Sequence, residues 1–159
     1  MALSDEDTRW LGRCVELAGQ ALDAGDEPFG SVLVSSDGRA LFEDHNHVAG
    51  GDNTAHPEFA IARWSVTNLS PEERAAATVY TSGEHCPMCS AAHGWVGLGR
   101  IVYASSSEQT AAWMAELNVP PAPVLPLPIQ QVAPGIQVDG PVPELAEQVR
   151  DLHRRFHRG

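Results

Sequence analysis

Four residues in two short stretches have the types and spacing of a metal-dependent catalytic site. The stretch TAHPEFAIARW, residues 54–64, places His56 and Glu58 at the head of an apolar run, and SGEHCPMCSAAHGW, residues 82–95, contains Cys86 and Cys89 in a C-x-x-C pattern. One imidazole nitrogen and two thiolates suit tetrahedral zinc and leave its fourth position open for water. The sequence therefore predicts one zinc ion per chain, bound by His56, Cys86 and Cys89.

Glu58 has the properties of a proton carrier beside this metal. It is displaced around its helix from His56, and the other three residues already form a sufficient ligand set. A carboxylate within reach of activated water can take its proton and pass it on, as metal-assisted hydrolysis requires. We therefore interpret Glu58 as the catalytic acid and base.

Two other uses of these residues are compatible with the pattern. A fourth protein ligand such as His85 or His93 would close the site, and the chain would then be a structural zinc-binding domain rather than an enzyme. A thioredoxin-like redox role for CPMC would leave His56 and Glu58 without a function. The number of protein ligands distinguishes the catalytic from the structural zinc site.

Two helices must begin side by side for the three ligands to meet. Pro57 is suited to the first turn of a helix that extends to about Leu69, so that this helix begins at His56. A second helix is predicted from Cys86 to Val96. Helix N-termini carry partial positive charge, which favours thiolates.

The remaining pattern predicts alternating helices and strands in the order α-β-β-α-β-α-β. Ser4 and Asp7 begin an amphipathic helix that ends near Gly25. The pair Asp37 and Gly38 favours a tight turn between two antiparallel strands. Further predicted elements are strands ATVYTS and RIVYAS, a helix over 108–117, a proline-rich segment over 119–143 with at most a short fifth strand, and a terminal helix from Glu144.

The length and composition predict a single domain. The chain has 159 residues, of which 43% are hydrophobic. We expect residues 1–118 to form the core of this domain and residues 119–159 to complete it. No stretch approaches the roughly 18 apolar residues of a membrane span, and the first residues do not resemble a signal peptide. These observations predict a soluble, cytoplasmic protein.

The charge distribution restricts the partners of the chain. The net charge is −11 and no lysine is present, which excludes lysine Schiff-base and P-loop lysine chemistry. Such an acidic surface repels a phosphate backbone, so that nucleic acid is not an expected partner. The basic stretch RDLHRRFHRG, residues 150–159, is the one place where an anion could bind, although a solvated helix end also accounts for it.

Cysteine usage points to metal chemistry rather than disulfides. The chain contains three cysteines, an odd number, and two of them lie only three positions apart. Cys14 falls between Leu11 and Leu17 in the amphipathic pattern, and we interpret it as a buried small apolar residue.

The motifs together resemble the zinc-dependent cytidine-deaminase-like superfamily, in its branch of guanine, cytosine and tRNA-adenosine deaminases. The superfamily signature H-x-E followed by P-C-x-x-C corresponds to HPE at 56–58 and HCPMC at 85–89. EPFGSVLV, NHV at 46–48 and DNTAHPE are similar to further segments of that branch. The resemblance covers roughly residues 3–118.

This resemblance implies a fold, an activity and a partner. The fold would be a three-layer α/β/α deaminase fold with a central mixed five-stranded sheet. The activity would be zinc-dependent hydrolytic removal of an exocyclic amine from a free nucleobase or related heterocycle of the guanine, cytosine or s-triazine type, with release of ammonia. A tRNA adenosine or nucleoside deaminase is the alternative, and the resemblance also implies a homodimer.

The substrate contacts are predicted less directly. By resemblance, Asn46 would hydrogen-bond the base, and Glu84 would read an amino or ring N–H group. Phe29 and Trp95 are aromatic residues able to stack on a planar ring, although such residues are also common in cores. His85 stands where the family has proline, which makes it either a tolerated substitution or a substrate contact.

Pro57 is the second departure from the family pattern, where alanine is common. Proline has no backbone N–H. Relatives with another residue at this position can hold a substrate carbonyl through that amide. This chain must hold that edge of its substrate with a different group.

Overall fold

A mixed five-stranded β-sheet forms the centre of the protein in a computed structural model that describes residues 3–158. Strand β1 pairs antiparallel with β2 and β3, whereas β3, β4 and β5 run parallel. The order across the sheet is β2-β1-β3-β4-β5. The strands are β1 (Gly30–Val34), β2 (Ala40–His45), β3 (Thr78–Gly83), β4 (Ile101–Ser105) and β5 (Val138–Asp139).

Seven α-helices of the described chain precede, connect and follow these strands. They are α1 (Asp5–Asp23), α2 (Pro57–Asn68), α3 (Pro71–Ala76), α4 (Pro87–Val96), α5 (Ser107–Glu116), α6 (Ile129–Val132) and α7 (Pro143–Arg158). One 3₁₀ turn, Val48–Gly50, follows β2. None of the helices within residues 3–158 combines the length and apolar character needed to cross a bilayer.

The helices cover both faces of the sheet, each over its own apolar cluster. On one face, α1, α5 and α7 pack over residues that include Val32, Tyr80 and Val102. On the other face, α2 and α4 pack over Leu33 and Val79. Neighbouring residues of one strand thus face opposite layers, as the strand period of two requires. The predicted three-layer α/β/α fold is confirmed.

Local sequence signals explain where the helices begin. Ser4 caps α1 and exchanges hydrogen bonds with Asp7, each 3.0 Å long, in the capping box that the sequence predicted. Helices α2 and α4 both have proline at their first position, where the missing N–H has no partner in the helix. His56 is the N-cap residue of α2 and Cys86 that of α4. The predicted starts of both helices are therefore confirmed.

The segment after α5 differs most from a regular α/β pattern. Prolines interrupt it until α6, and β5 contributes only two residues to the sheet. Helix α7 then packs against α1 and β4. These contacts support the proposal that residues 119–159 complete the same domain as the core. The division between the core and this segment near residue 118 stays a prediction.

Candidate active site

The three predicted metal ligands meet where α2 and α4 begin side by side. Strand β3 ends at Gly83, and Cys86 and Cys89 follow at the start of α4. Helix α2 packs against α4, which brings His56 to the same edge of the sheet. Among residues 3–158, this ligand group contains His56, Cys86 and Cys89 and no fourth residue.

The separations of the ligand atoms match one tetrahedral ion. The sulfur atoms Sγ of Cys86 and Cys89 lie 3.5 Å apart, and each lies 3.5 Å from Nδ1 of His56. Metal–ligand distances of about 2.3 Å to sulfur and 2.0–2.1 Å to nitrogen require ligand atoms roughly 3.5–3.8 Å apart in a tetrahedron. The residues present therefore fit zinc, with the fourth position free of protein ligands among the described residues.

Hydrogen bonds among the three ligand residues shift their pKa values in different directions. The hydrogen bond between Cys86 and Cys89 lowers the pKa of Cys86 to about 4, and the hydrogen bond with His56 acts in the same direction. The bond between the two cysteines raises the pKa of Cys89. The separate hydrogen bond between His56 and Cys86 raises the pKa of His56 to about 8. A bound ion replaces these shared protons, so that metal binding releases protons from His56 and Cys89.

Glu58 lies beside the ligand group and is 6% exposed. Its carboxylate interacts with the Cys89 thiol and is not a member of the ligand group. Burial raises the pKa of Glu58, while a hydrogen bond from Ser31 acts in the opposite direction. The site thus places a buried carboxylate beside the three ligand residues.

The sequence that forms this site matches the model of a known protein family. The model of the cytidine and deoxycytidylate deaminase zinc-binding region matches residues 4–105, which include all three ligands and Glu58. The chain belongs to this deaminase family. Zinc is accordingly its metal, with His56, Cys86 and Cys89 as the candidate site.

Relatives within the deaminase family carry names that refer to different substrates. The chain is 35% identical over 107 residues to a probable cytosine deaminase of Schizosaccharomyces pombe, which covers 67% of this chain and 64% of that protein. It is 36% identical over 104 residues to a guanine deaminase of Bacillus subtilis, which covers 64% of this chain and 66% of that protein. The chain thus spans just under two thirds of the length of both curated relatives.

A solved structure from a study of tRNA:A34 deaminases, which edit adenosine to inosine at the wobble position of transfer RNA, shares the fold. It superposes with a TM-score of 0.57 at 31% identity and covers 64% of this chain and 78% of that chain. Similarity alone therefore does not distinguish a base from a transfer RNA as the substrate of this deaminase family member.

Two hydroxyl groups that the sequence analysis missed hold Glu58 in place. Ser31 Oγ donates to Glu58 Oε1 at 2.8 Å, and Thr81 Oγ1 lies 3.3 Å from the same oxygen. Ser31 and Thr81 stand directly opposite each other on β1 and β3. A signal was present, because a serine in the fully buried strand GSVLV requires a hydrogen-bond partner.

Asn46 and Phe29 lie together at the ends of β2 and β1. The backbone N–H of Asn46 donates to the Phe29 carbonyl at 3.0 Å, and Asn46 is 2% exposed. The Asn46 side-chain oxygen accepts from the Val48 N–H at 2.9 Å, which leaves its NH₂ group to donate. The Phe29 ring lies against Gly83 and packs edge-on against His153, with ring centroids 4.9 Å apart.

Glu84 binds two backbone N–H groups, and Trp95 lies at the surface; their predicted contacts with substrate stay predictions. The carboxylate of Glu84 accepts the N–H of Ser107 at 2.9 Å and that of Ile129 at 2.8 Å, so it holds the starts of α5 and α6. Trp95 is 90% exposed on α4.

His85 is fully buried beside the ligand Cys86. Its ring packs edge-on against His93, with centroids 5.4 Å apart, and its Nδ1 has no hydrogen-bond partner among the described residues. Burial lowers the pKa of His85 well below its usual value, so the ring is neutral. His93 instead bonds the Gly99 carbonyl through Nε2 at 2.7 Å. Neither histidine joins the metal ligands, which leaves the closed structural site unsupported.

Proposed function

We propose that the chain is a zinc-dependent hydrolytic deaminase, an amidine hydrolase that replaces the exocyclic amine of a free nucleobase or related heterocycle with oxygen and releases ammonia. The observation that carries this proposal is a set of three ligand residues with the buried carboxylate of Glu58 beside it. A structural zinc site uses four protein ligands and has no need of Glu58.

The residues of the chain divide the reaction between them. When bound, zinc supplies Lewis-acid activation of water for attack on the ring carbon that carries the amine. Glu58 accepts one proton from the attacking water and delivers it to the adjacent ring nitrogen. It then takes the second proton from the added oxygen and passes it to the departing amine, which leaves as ammonia while the ring carbon keeps the oxygen as a carbonyl. Ser31 and Thr81 hold one carboxylate oxygen of Glu58, which orients the other toward the reacting atoms.

Substrate binding is assigned to the neighbouring polar and aromatic groups. The NH₂ group of Asn46 donates to an acceptor on the ring, and Phe29 provides an apolar surface for the ring face. His85, neutral and buried, offers a second nitrogen within the site wall. Glu84 acts indirectly, through the loops that it fixes.

A small base of the guanine, cytosine or s-triazine type fits the charge of the protein better than a polynucleotide. The net charge is −11, and an acidic surface repels phosphates. The similarity to tRNA:A34 deaminases favours a second candidate, a tRNA adenosine deaminase, which requires a basic groove. Nucleosides lack phosphates, so that neither an acidic surface nor a basic groove excludes them as substrates.

A homodimer is part of the proposal and is supported by exposed apolar side chains. Trp95 is 90% exposed and Leu125 is 72% exposed. Large apolar side chains at the surface gain free energy when a partner covers them. Analytical ultracentrifugation of the zinc-loaded protein tests this part of the proposal separately from activity.

The deciding experiment measures zinc content and ammonia release together. The purified chain is expected to hold about one zinc ion and to release ammonia from at least one member of a panel of guanine, cytosine, aminotriazines, cytidine, adenosine and transfer RNA. Glu58→Gln should keep the zinc and the fold but lose about 10²- to 10⁴-fold in turnover, because it removes proton transfer.

Glu108→Gln serves as the matched control, since Glu108 is exposed in the first turn of α5. It should retain full activity. Near-normal turnover by Glu58→Gln would remove Glu58 from the chemistry. Absence of ammonia release from every panel member by zinc-loaded wild-type protein would overturn the proposed activity.

A further inference from the structure

A second group of metal-ligating side chains contains none of the zinc ligands. Ligand atoms of Asp26, His45 and His47 all lie within 4.8 Å of one another. Asp26 belongs to the connection between α1 and β1, His45 is the last residue of β2, and His47 caps the following 3₁₀ turn. Pairing of Gly30 with His45 in the sheet brings these segments together.

The hydrogen bonds of both histidines leave one ring nitrogen free for a metal. Nδ1 of His45 lies 2.8 Å from the Asn46 carbonyl oxygen, which can only accept, so this nitrogen carries the proton. Nε2 of His47 lies 2.8 Å from Oδ1 of Asp44, and a carboxylate likewise accepts. In the neutral rings, Nε2 of His45 and Nδ1 of His47 therefore hold the lone pairs.

This pattern is typical of histidines that bind metals. Metal-ligating histidines donate their second ring N–H to a carbonyl or a carboxylate, which fixes the tautomer and the ring orientation. His45 has the carbonyl and His47 has the carboxylate. The two rings also lie close together, with centroids 4.4 Å apart.

Asp26 supplies a carboxylate that lacks a cationic partner. It is 5% exposed, and one of its oxygens accepts the Ala49 N–H at 2.9 Å. No salt bridge within residues 3–158 includes Asp26. A buried carboxylate is costly unless it is paired or coordinates a metal, and a divalent cation among the three residues would satisfy it.

We propose that Asp26, His45 and His47 form a second metal site that binds a divalent transition-metal ion. Two imidazoles and one carboxylate suit ions such as Zn²⁺ or Ni²⁺ rather than Ca²⁺ or Mg²⁺, which prefer oxygen ligands. Around one bound ion the ligand atoms lie about 3.0–3.5 Å apart, a spacing that small shifts of the three side chains produce without loss of the hydrogen bonds that orient the rings. His47 is exposed and, together with the zinc ligand His56, lines a cleft of about 350 Å³, which gives the ion a route to the site.

The position of the site suggests its effect. Asn46 lies between the two histidines, and its carbonyl accepts the His45 hydrogen bond. An ion that joins Asp26 to His45 and His47 therefore fixes the backbone on both sides of Asn46. The second ion thus acts as a positioning device for the segment 45–49 and takes no part in zinc binding at Cys86 and Cys89.

The test uses zinc-loaded full-length protein, freed of excess metal, and Ni²⁺ as the probe. Equilibrium dialysis followed by mass-spectrometric metal analysis counts zinc and nickel separately. Wild-type protein is expected to take up one Ni²⁺ per chain while its single zinc is retained. His47→Ala should lose this uptake, and Asp44→Asn should weaken it about 10- to 100-fold, because Asp44 orients the His47 ring.

His157→Ala is the matched control, since His157 is exposed and lies in α7, outside the ligand group. It should bind Ni²⁺ as the wild type does. Because His47 is exposed, its substitution leaves the core intact, and a circular dichroism melt verifies this. The proposal is overturned if wild-type protein takes up no Ni²⁺, if Ni²⁺ only displaces zinc, or if His47→Ala binds Ni²⁺ as tightly as the control.

Discussion

Pro57 is the residue of the zinc motif whose role is least determined by metal chemistry. It follows the ligand His56, is buried, and occupies the first position of α2. Any other residue at this position would present a backbone N–H at the edge of the site, whereas proline presents none. We infer that the substrate edge that relatives can hold through this amide is held here by a side chain or by water.

We predict that Pro57→Ala narrows and shifts the substrate preference. A site with a hydrogen-bond donor discriminates strongly against analogues that lack the matching acceptor, and a site without the donor tolerates them. The wild type should accept bases that differ in the carbonyl at this edge with similar kcat/KM, and Pro57→Ala should favour those that carry it. Relative kcat/KM values across such a panel check the prediction.

Pro71→Ala is the control for helix starts, because Pro71 occupies the same position of α3 on the exposed surface. Both substitutions restore an N–H, and both are expected to change stability by no more than about 1 kcal/mol. If Pro57→Ala and Pro71→Ala leave the relative rates equally unchanged, position 57 does not determine specificity.

Single residues also show why part of the site was not predictable from sequence. His56, Cys86 and Cys89 were found because their residue types and local spacing already define metal chemistry. Ser31 and Thr81 reach Glu58 only because β1 and β3 pair in a particular register. That register depends on packing between segments 50 residues apart, which no local pattern encodes.

The elements of the fold are joined by one buried ionic network. Asp7 in the first turn of α1 accepts from Tyr80 of β3 at 2.6 Å and from both terminal nitrogens of Arg100, at 2.9 and 3.2 Å. Arg100, which precedes β4, also donates to Asp139 of β5 at 2.8 Å. This network ties a helix start to three strands of the sheet.

We predict that Asp7→Asn lowers the free energy of unfolding by about 3–5 kcal/mol near pH 7. The substitution leaves the largely buried Arg100 without one of its two carboxylate partners, and breaking a buried ion pair has a cost of this size. Asp5→Asn is the matched control, because Asp5 lies in the same helical turn but is exposed. Urea denaturation of both variants and the wild type provides the measurement.

The pH dependence of this difference has a defined sign. Burial alone would raise the pKa of Asp7, but hydrogen bonds from Arg100 and Tyr80 outweigh it and hold the pKa well below the usual value of 3.8. A carboxyl group with a lowered folded-state pKa stabilises the fold above its unfolded pKa, and this contribution is lost as the pH falls further. The difference between Asp7→Asn and the wild type should therefore shrink below about pH 4. A difference that is constant down to pH 2.5 would contradict this assignment.

Element prediction succeeded where local signals were strong and failed where elements were short. Capping boxes, N-terminal prolines and apolar periodicity gave α1, α2 and α4 nearly to the residue. The six residues of α3 and the four of α6 were missed, because so few residues carry no measurable periodicity. Helix α3 nevertheless has a capping box between Ser70 and Glu73, which a search for caps would have found.

At the scale of the whole molecule, charge is the main argument about the substrate. The net charge of −11 is spread over a chain without lysine, and its C-terminal helix holds four of the ten arginines. The structure reduces this basic end further, because Arg150 pairs with Glu116 at 2.7 Å and with Glu147 at 3.7 Å. Within residues 3–158, salt bridges do not involve Arg154, Arg155 or Arg158, so these three remain available to an anion.

We predict that the protein binds transfer RNA only weakly, with a Kd above about 10⁻⁴ M at physiological salt, and only through this C-terminal end. Three phosphate contacts correspond to a slope of about −2 in log K against log salt concentration for a single-stranded loop. Fluorescence anisotropy with a labelled anticodon stem-loop between 50 and 200 mM salt measures both quantities.

The double variant Arg155→Ala/Arg158→Ala should lose most of this binding. The control is Arg39→Ala, which replaces an exposed arginine in the turn before β2 and should leave the binding unchanged. An acidic surface has no source of affinity for a phosphate backbone apart from these arginines. Tight binding that persists at high salt, together with conversion of adenosine to inosine in the loop, would therefore make transfer RNA a better candidate substrate than a free base.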